Sequence, residues 1–92
     1  MRMFDEIKTA PLQAGRLSLV EPFTIALEVV AEVMRDGIAI HPDNEWTRRS
    51  VDYHLARAEE HLRLLHDGDQ REDHVAHAAT RLLMALTLRE LG

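Results

Sequence analysis

The 92-residue chain contains no cysteine. Disulfide bridges and thiolate metal sites are thereby excluded, and a reducing cytoplasm is permitted. Aromatic residues make up only 4 % of it. A core must then be assembled from Leu, Val, Ala, Ile and Met, a set that suits helices better than a sheet. No apolar run reaches eighteen residues, so no transmembrane helix is expected. No charged segment followed by an apolar core and a cleavage site opens the chain, so secretion is not signalled and a cytoplasmic location is expected. Basic side chains are outnumbered 11 to 16, for a net charge of −5. A non-specific nucleic-acid binder carries the opposite excess, and no basic recognition helix is visible, so nucleic acid is not an expected partner.

What is present is hydrophobic patterning of one kind. Hydrophobic residues form 46 % of the chain, enough for a folded protein. Ninety-two residues make one domain with a modest core, here 1–20 as an N-terminal arm and 21–92 as a helical core. Glu21-Pro22 reads as a helix start. Phe23, Leu27, Val30, Ala31 and Met34 then recur at helical spacing, with Ile25, Val29 and Val33 as a second apolar row. A helix apolar around most of its circumference needs burial on more than one side, which in so short a chain points to an oligomer. Gly37 is the expected C-cap, and 38–44 the expected connection. A second helix is expected from Glu45 or Arg48 to about Leu65, packing through Val51, Leu55, Ala58, Leu62 and Leu65, and ending at Gly68. A third is expected from about Arg71 to Leu91. No strand-like alternation of useful length and no internal repeat occurs. The fold class is all-α: a small bundle of about three main helices, completed by oligomerisation.

Three groups of residues are candidates for chemistry. Glu28 and Glu32 lie one turn apart on the narrow polar strip of the first helix, with Glu21 two turns before Glu28. Such carboxylates hold a hard divalent cation or simply face solvent. His54, Arg57 and His61 flank the apolar stripe of the second helix, either packed or meeting a phosphate. His74 and His77, three apart at the start of the third helix, share one face with Arg81 a turn beyond, and Asp73 adjoins them. They can reach one metal ion, or they can line the end of a bundle. Trp46, the single tryptophan, is a stacking surface for a base or a lid on the bundle.

Taken in order, these motifs resemble a known family. They are Arg16-Leu17-Ser18-Leu19-Val20-Glu21-Pro22, Ala26-Leu27-Glu28-Val29-Val30-Ala31, Gly37, Asp43-Asn44-Glu45-Trp46, His61-Leu62, Asp67-Gly68-Asp69 and His74-Val75-Ala76-His77-Ala78-Ala79. The chain resembles, from about Arg16 to Glu90, the phage and bacterial dATP/dGTP diphosphohydrolase N-terminal domain, akin to the MazG-like all-α nucleotide pyrophosphohydrolases. The resemblance implies assembly into dimers or larger and cleavage of a nucleoside triphosphate, purine deoxynucleotides foremost, to monophosphate and pyrophosphate. It implies Mg²⁺ or Mn²⁺ on Glu28, Glu32 and Asp73. His61, His74 and His77 become the catalytic candidates, and Arg16, Trp46, Arg57 and Arg81 the substrate-binding candidates. Val29 stands where related chains often have a second Glu, and Arg81 where they often carry a small amide. The second reading is therefore a helical, oligomeric interaction module that keeps the fold without the reaction.

Overall fold

The computed structural model describes residues 16–92. Residues 1–15, most of the expected arm, lie outside that range. Among the described residues the main elements are three helices, α1 (Thr24–Ile40), α2 (Val51–His66) and α3 (His74–Leu91), and no strand occurs. A 3₁₀ turn, Ser18–Phe23, leads into α1, and another, Glu45–Arg48, precedes α2. The expected start at Glu21-Pro22 is this first turn. Pro22 lies inside it, and the Thr24 hydroxyl donates to the Glu21 carbonyl at 2.6 Å where the α-helix takes over. No helix among the described residues is long and apolar enough to cross a membrane.

The helix ends differ from expectation for identifiable reasons. α1 runs through Gly37 to Ile40. Gly37 does not adopt the positive φ that a glycine cap requires. Pro42 ends the helix instead, by holding His41 in an extended conformation (φ −128°, ψ 78°). α2 begins later than expected because Ser50 is extended and caps the Tyr53 amide at 3.0 Å. Its end is as expected: Gly68 takes φ 85°, the Gly68 amide donates to Leu65 and the Asp69 amide to Leu64. This double closure returns the chain sharply and sets Asp69 beside the next helix. α3 begins at His74 rather than Arg71, because the Asp73 carboxylate caps the Ala76 amide at 3.0 Å.

α3 is the central helix and packs against both α2 and α1. Among the described residues the buried apolar side chains are all alanines: Ala58, Ala76, Ala78 and Ala85. Small side chains let helix axes approach closely, and the remaining buried positions are His54, His61, His74 and Thr80. The expected leucine stripe of α2 is thus corrected. Only Ala58 of that stripe is buried, while Leu55, Leu62 and Leu65 are exposed, because the inward face is His54–Ala58–His61. α1 has no buried residue at all.

His54 ties three elements together. Its Nε2 donates to the Trp46 carbonyl at 2.9 Å, and its Nδ1 accepts from Arg81 at 3.1 Å. Burial first, and then the nearby Arg81 and Arg49 charges, push its pKa below the usual histidine value, against the Trp46 carbonyl, which raises it. The unfolded chain takes up this proton near about pH 6.5 and the folded chain resists it. Stability is then complete above that pH and falls as the pH drops toward the folded value. Thermal melts between pH 7.5 and 5.5 should show a steeper loss for the wild type than for His54→Gln, which retains a donor and an acceptor but no titration. Equal slopes would remove His54 from the account.

Candidate functional site

A cleft of about 320 Å³ opens between α1 and α2, with α3 beneath it. From α1 come Val33, Met34 and Gly37; from the turn before α2, Glu45, Trp46 and Arg49; from α2, Tyr53, Arg57 and His61; from α3, His77, Thr80, Arg81 and Met84; and Glu72 closes the end. The α1 wall is mostly apolar but also carries Asp36, and the other is dense in nitrogen donors.

The cationic side of the cleft is built around Tyr53. The Arg49 guanidinium lies 4.9 Å and that of Arg81 5.7 Å from the centre of its ring. Arg49 is held by Glu45, whose carboxyl this bond keeps below the usual range. Burial pushes Arg81 below the ordinary guanidinium value, and its Nη1 is committed to His54. Arg57 pairs with Glu60 at 2.7 Å through Nη1, and its Nε is buried without a hydrogen-bond partner. A buried donor left unmatched costs about 1–3 kcal/mol.

The opposite end carries a chain of polar contacts. His61 Nδ1 and His74 Nδ1 are 2.9 Å apart, and His74 Nε2 lies 2.5 Å from Asp69 Oδ2. A carboxylate accepts only, so His74 Nε2 donates to it. With His74 neutral, its Nδ1 accepts the Nδ1–H of His61, and the Nε2 of His61 is left with a free lone pair. The bond from His74, then that from Arg71, holds the Asp69 carboxyl below the usual range. Burial, then the neighbouring His77, pushes His61 below the ordinary histidine value. His77 stacks on His61, ring centres 5.1 Å apart and planes inclined by 28°, and its Nε2 is 3.9 Å from Glu72 Oε1. His61, Glu72 and His77 each offer one donor atom, and these atoms lie within 4.8 Å of one another.

The candidates from sequence fall into two sets. His61, His77, Trp46, Arg57 and Arg81 meet in the cleft. His74 stands behind His61 with both ring nitrogens engaged, so it positions His61 and does not face a substrate. Glu28, Glu32 and Arg16 are exposed and outside the cleft lining, and Glu32 pairs with Arg35 at 2.8 Å. Asp73 is a helix cap. Among the described residues, Glu28, Glu32 and Asp73 do not form a set of donors around one ion; His61, Glu72 and His77 do. The residues that sequence reasoning passed over are Asp69, Glu72 and Tyr53. The first two flag themselves only as acids five residues before His74 and His77, a separation that matches no helical or strand period.

Comparison with known proteins yields one finding. A family model described as dATP/dGTP diphosphohydrolase, N-terminal, matches residues 8–92. No curated protein and no solved structure matches the chain.

The role of Asp73 is open to a direct check. Asp73→Ala should lower stability by about 1 kcal/mol through loss of the cap, or roughly 4–8 °C in Tm for a domain of this size. Asp73→Ser should restore most of it. Loss of stability in both variants alike would show that Asp73 acts through something other than capping.

Proposed function

Because the chain belongs to the dATP/dGTP diphosphohydrolase, N-terminal, family, we propose that its cleft binds a purine deoxynucleoside triphosphate and hydrolyses it to monophosphate and pyrophosphate. The reaction adds water at the α-phosphorus, breaks its bond to the α,β-bridging oxygen, and releases pyrophosphate. The observation that carries this reading is the juxtaposition of the Arg57 and Arg81 guanidinium groups with the His61–Glu72–His77 group in one cleft. Arg57, which lines the cleft, binds the phosphate chain through its guanidinium. Arg81, aligned by His54 and the Tyr53 ring, adds a second positive charge at the same wall. Trp46 and the apolar wall of Val33 and Met34 take the base.

Mg²⁺ or Mn²⁺ is the proposed cofactor, and its holders in this fold are His61, Glu72 and His77 rather than Glu28, Glu32 and Asp73. When bound, a divalent cation neutralises phosphate charge and lowers the pKa of its water. His61 keeps its orientation because His74 is locked to Asp69 behind it.

Assembly into a homodimer or larger oligomer belongs to the same proposal. α1 exposes Phe23 at its entry, Ile25 and Leu27 in its first turns, and Ile38 and Ile40 at its end. Ile25 is 77 % exposed and Ile40 72 %, which is costly for a lone chain in water. A cytoplasmic location would place the protein with its nucleotide substrates. The second reading, an assembly module without turnover, draws on the same exposed helix and on the distance of Glu28 and Glu32 from the cleft.

The test is pyrophosphate release from the four deoxynucleoside triphosphates with Mg²⁺ or Mn²⁺. Turnover of dATP or dGTP is expected, with Arg57→Ala lowering kcat/KM at least about tenfold, or about 1.4 kcal/mol of transition-state stabilisation. No release from any nucleotide by the folded protein would favour the assembly module. Sedimentation equilibrium should return a multiple of the monomer mass; a monomer at micromolar concentration would remove the oligomer from the proposal.

A further inference from the structure

The two halves of the His/Glu cluster are unequal in a way that bears on which metal it takes. We infer that His61, Glu72 and His77 form a site for a first-row transition-metal dication of the Mn²⁺, Co²⁺ or Zn²⁺ kind in preference to Mg²⁺, with Asp69 and His74 as positioning residues that present His61 to it. The inference deepens the proposed function, on which it rests for the metal's role but not for its binding.

Two of the three donors are imidazoles. Mg²⁺ demands a near-ideal octahedron of oxygen ligands and sheds water reluctantly. Imidazole nitrogen binds the first-row transition dications more readily than it binds Mg²⁺, with affinity rising from Mn²⁺ through Co²⁺, and two imidazoles with one carboxylate leave open positions for water or phosphate oxygens. The donors come from three separate places: α2 (His61), the turn before α3 (Glu72) and the first turn of α3 (His77). The Gly68 turn and the Asp73 cap fix their separation, so the group is set by backbone geometry and not by two long flexible side chains.

A second observation points the same way. His74 is 1 % exposed and spends both nitrogens on a chain from the Asp69 carboxylate to His61. Asp69 is in turn held by Arg71. Histidines that bind metals are commonly backed by a carboxylate or carbonyl that fixes the ring and its tautomer. Here the backing is a carboxylate acting through an intervening imidazole. A neutral His74 that spends its Nε2–H on Asp69 leaves the proton of the shared contact on His61 Nδ1, and the His61 Nε2 lone pair as the free ligand atom. A purely structural histidine has no need of that asymmetry. His54, the third histidine buried in the core, has both nitrogens satisfied.

The experiment uses the metal-stripped full chain without nucleotide. Calorimetric titration should give one Co²⁺ per chain, bound at least about tenfold more tightly than Mg²⁺. Glu72→Gln and His77→Gln alter side chains that are partly exposed, so these variants keep the fold, and each should weaken Co²⁺ at least about tenfold. Asp69→Asn should weaken it about tenfold, in the range found for outer-shell partners, and should shift the visible Co²⁺ absorption, which a merely structural change would leave alone. Long-range ¹⁵N–¹H spectra of the apo protein should show His61 protonated at Nδ1. Mg²⁺ binding as tight as Co²⁺, undiminished Co²⁺ binding by both glutamine variants, or an Nε2–H tautomer of His61 would each overturn the inference. Tight Co²⁺ binding that depends on Glu72 and His77 supports it even where no nucleotide turns over.

Discussion

A histidine buried between helices must find a partner for each ring nitrogen, and the packing of α2 against α3 is organised by that demand. His54 meets it with the Trp46 carbonyl and Arg81, which joins the turn before α2 to the middle of α3. His74 meets it with Asp69 and His61, which joins the turn after α2 to the start of α3. His61 meets it on one side only. The hydrogen bonds fasten both ends of the helix pair, and the single unmet nitrogen is left where the cleft opens. Helix packing and the candidate site therefore share one set of residues.

This arrangement accounts for the unusual core. Rings and alanines occupy the inner face of α2, so the leucines that a helix of this composition would normally bury are turned away. α1 carries the most apolar sequence and buries none of it completely. At about 25 cal/mol per Å² of apolar area removed from water, that outward surface is a large reserve of stabilisation that the single chain does not use. The position of α1 over α3 nonetheless has a clear consequence. It supplies the mostly apolar wall that turns a polar groove on two helices into a cleft.

Family membership and geometry constrain each other here. The family points to phosphate chemistry, and in the cleft Arg57 holds a donor that no protein group accepts. The carboxylates that the sequence put forward, Glu28 and Glu32, face solvent. The donors that do converge are mostly nitrogen. The motif order of the family is thus kept while the groups that converge at the cleft are not the carboxylates of the first helix.

Much of the fold was legible in one dimension because helices are local. Periodic apolar residues, the Asp67-Gly68-Asp69 turn and the His-x-x-His opening of α3 placed three helices with end errors of a few residues. Those errors arose where a neighbour outweighed a propensity: Pro42 over Gly37, Ser50 over Glu45, Asp73 over Arg71. Part of the site was legible too, since His61, His77, Arg57, Arg81 and Trp46 stand in suggestive spacing. Asp69 and Glu72 were not, because they sit in a tight turn whose reach depends on one positive φ at Gly68. Nor was the inward face of α2. Its leucine stripe and its His54–Ala58–His61 stripe obey the same 3.6-residue period, and only the surface of α3 decides between them. The sequence by itself determined that this chain is helical, where its turns fall and to which family it belongs, since these depend on contacts a few residues apart. Only the tertiary structure decided which histidines are satisfied, which one is left open and which acid stands opposite it. Those pairings join residues from different elements, and a hydrogen bond is settled by distance in space.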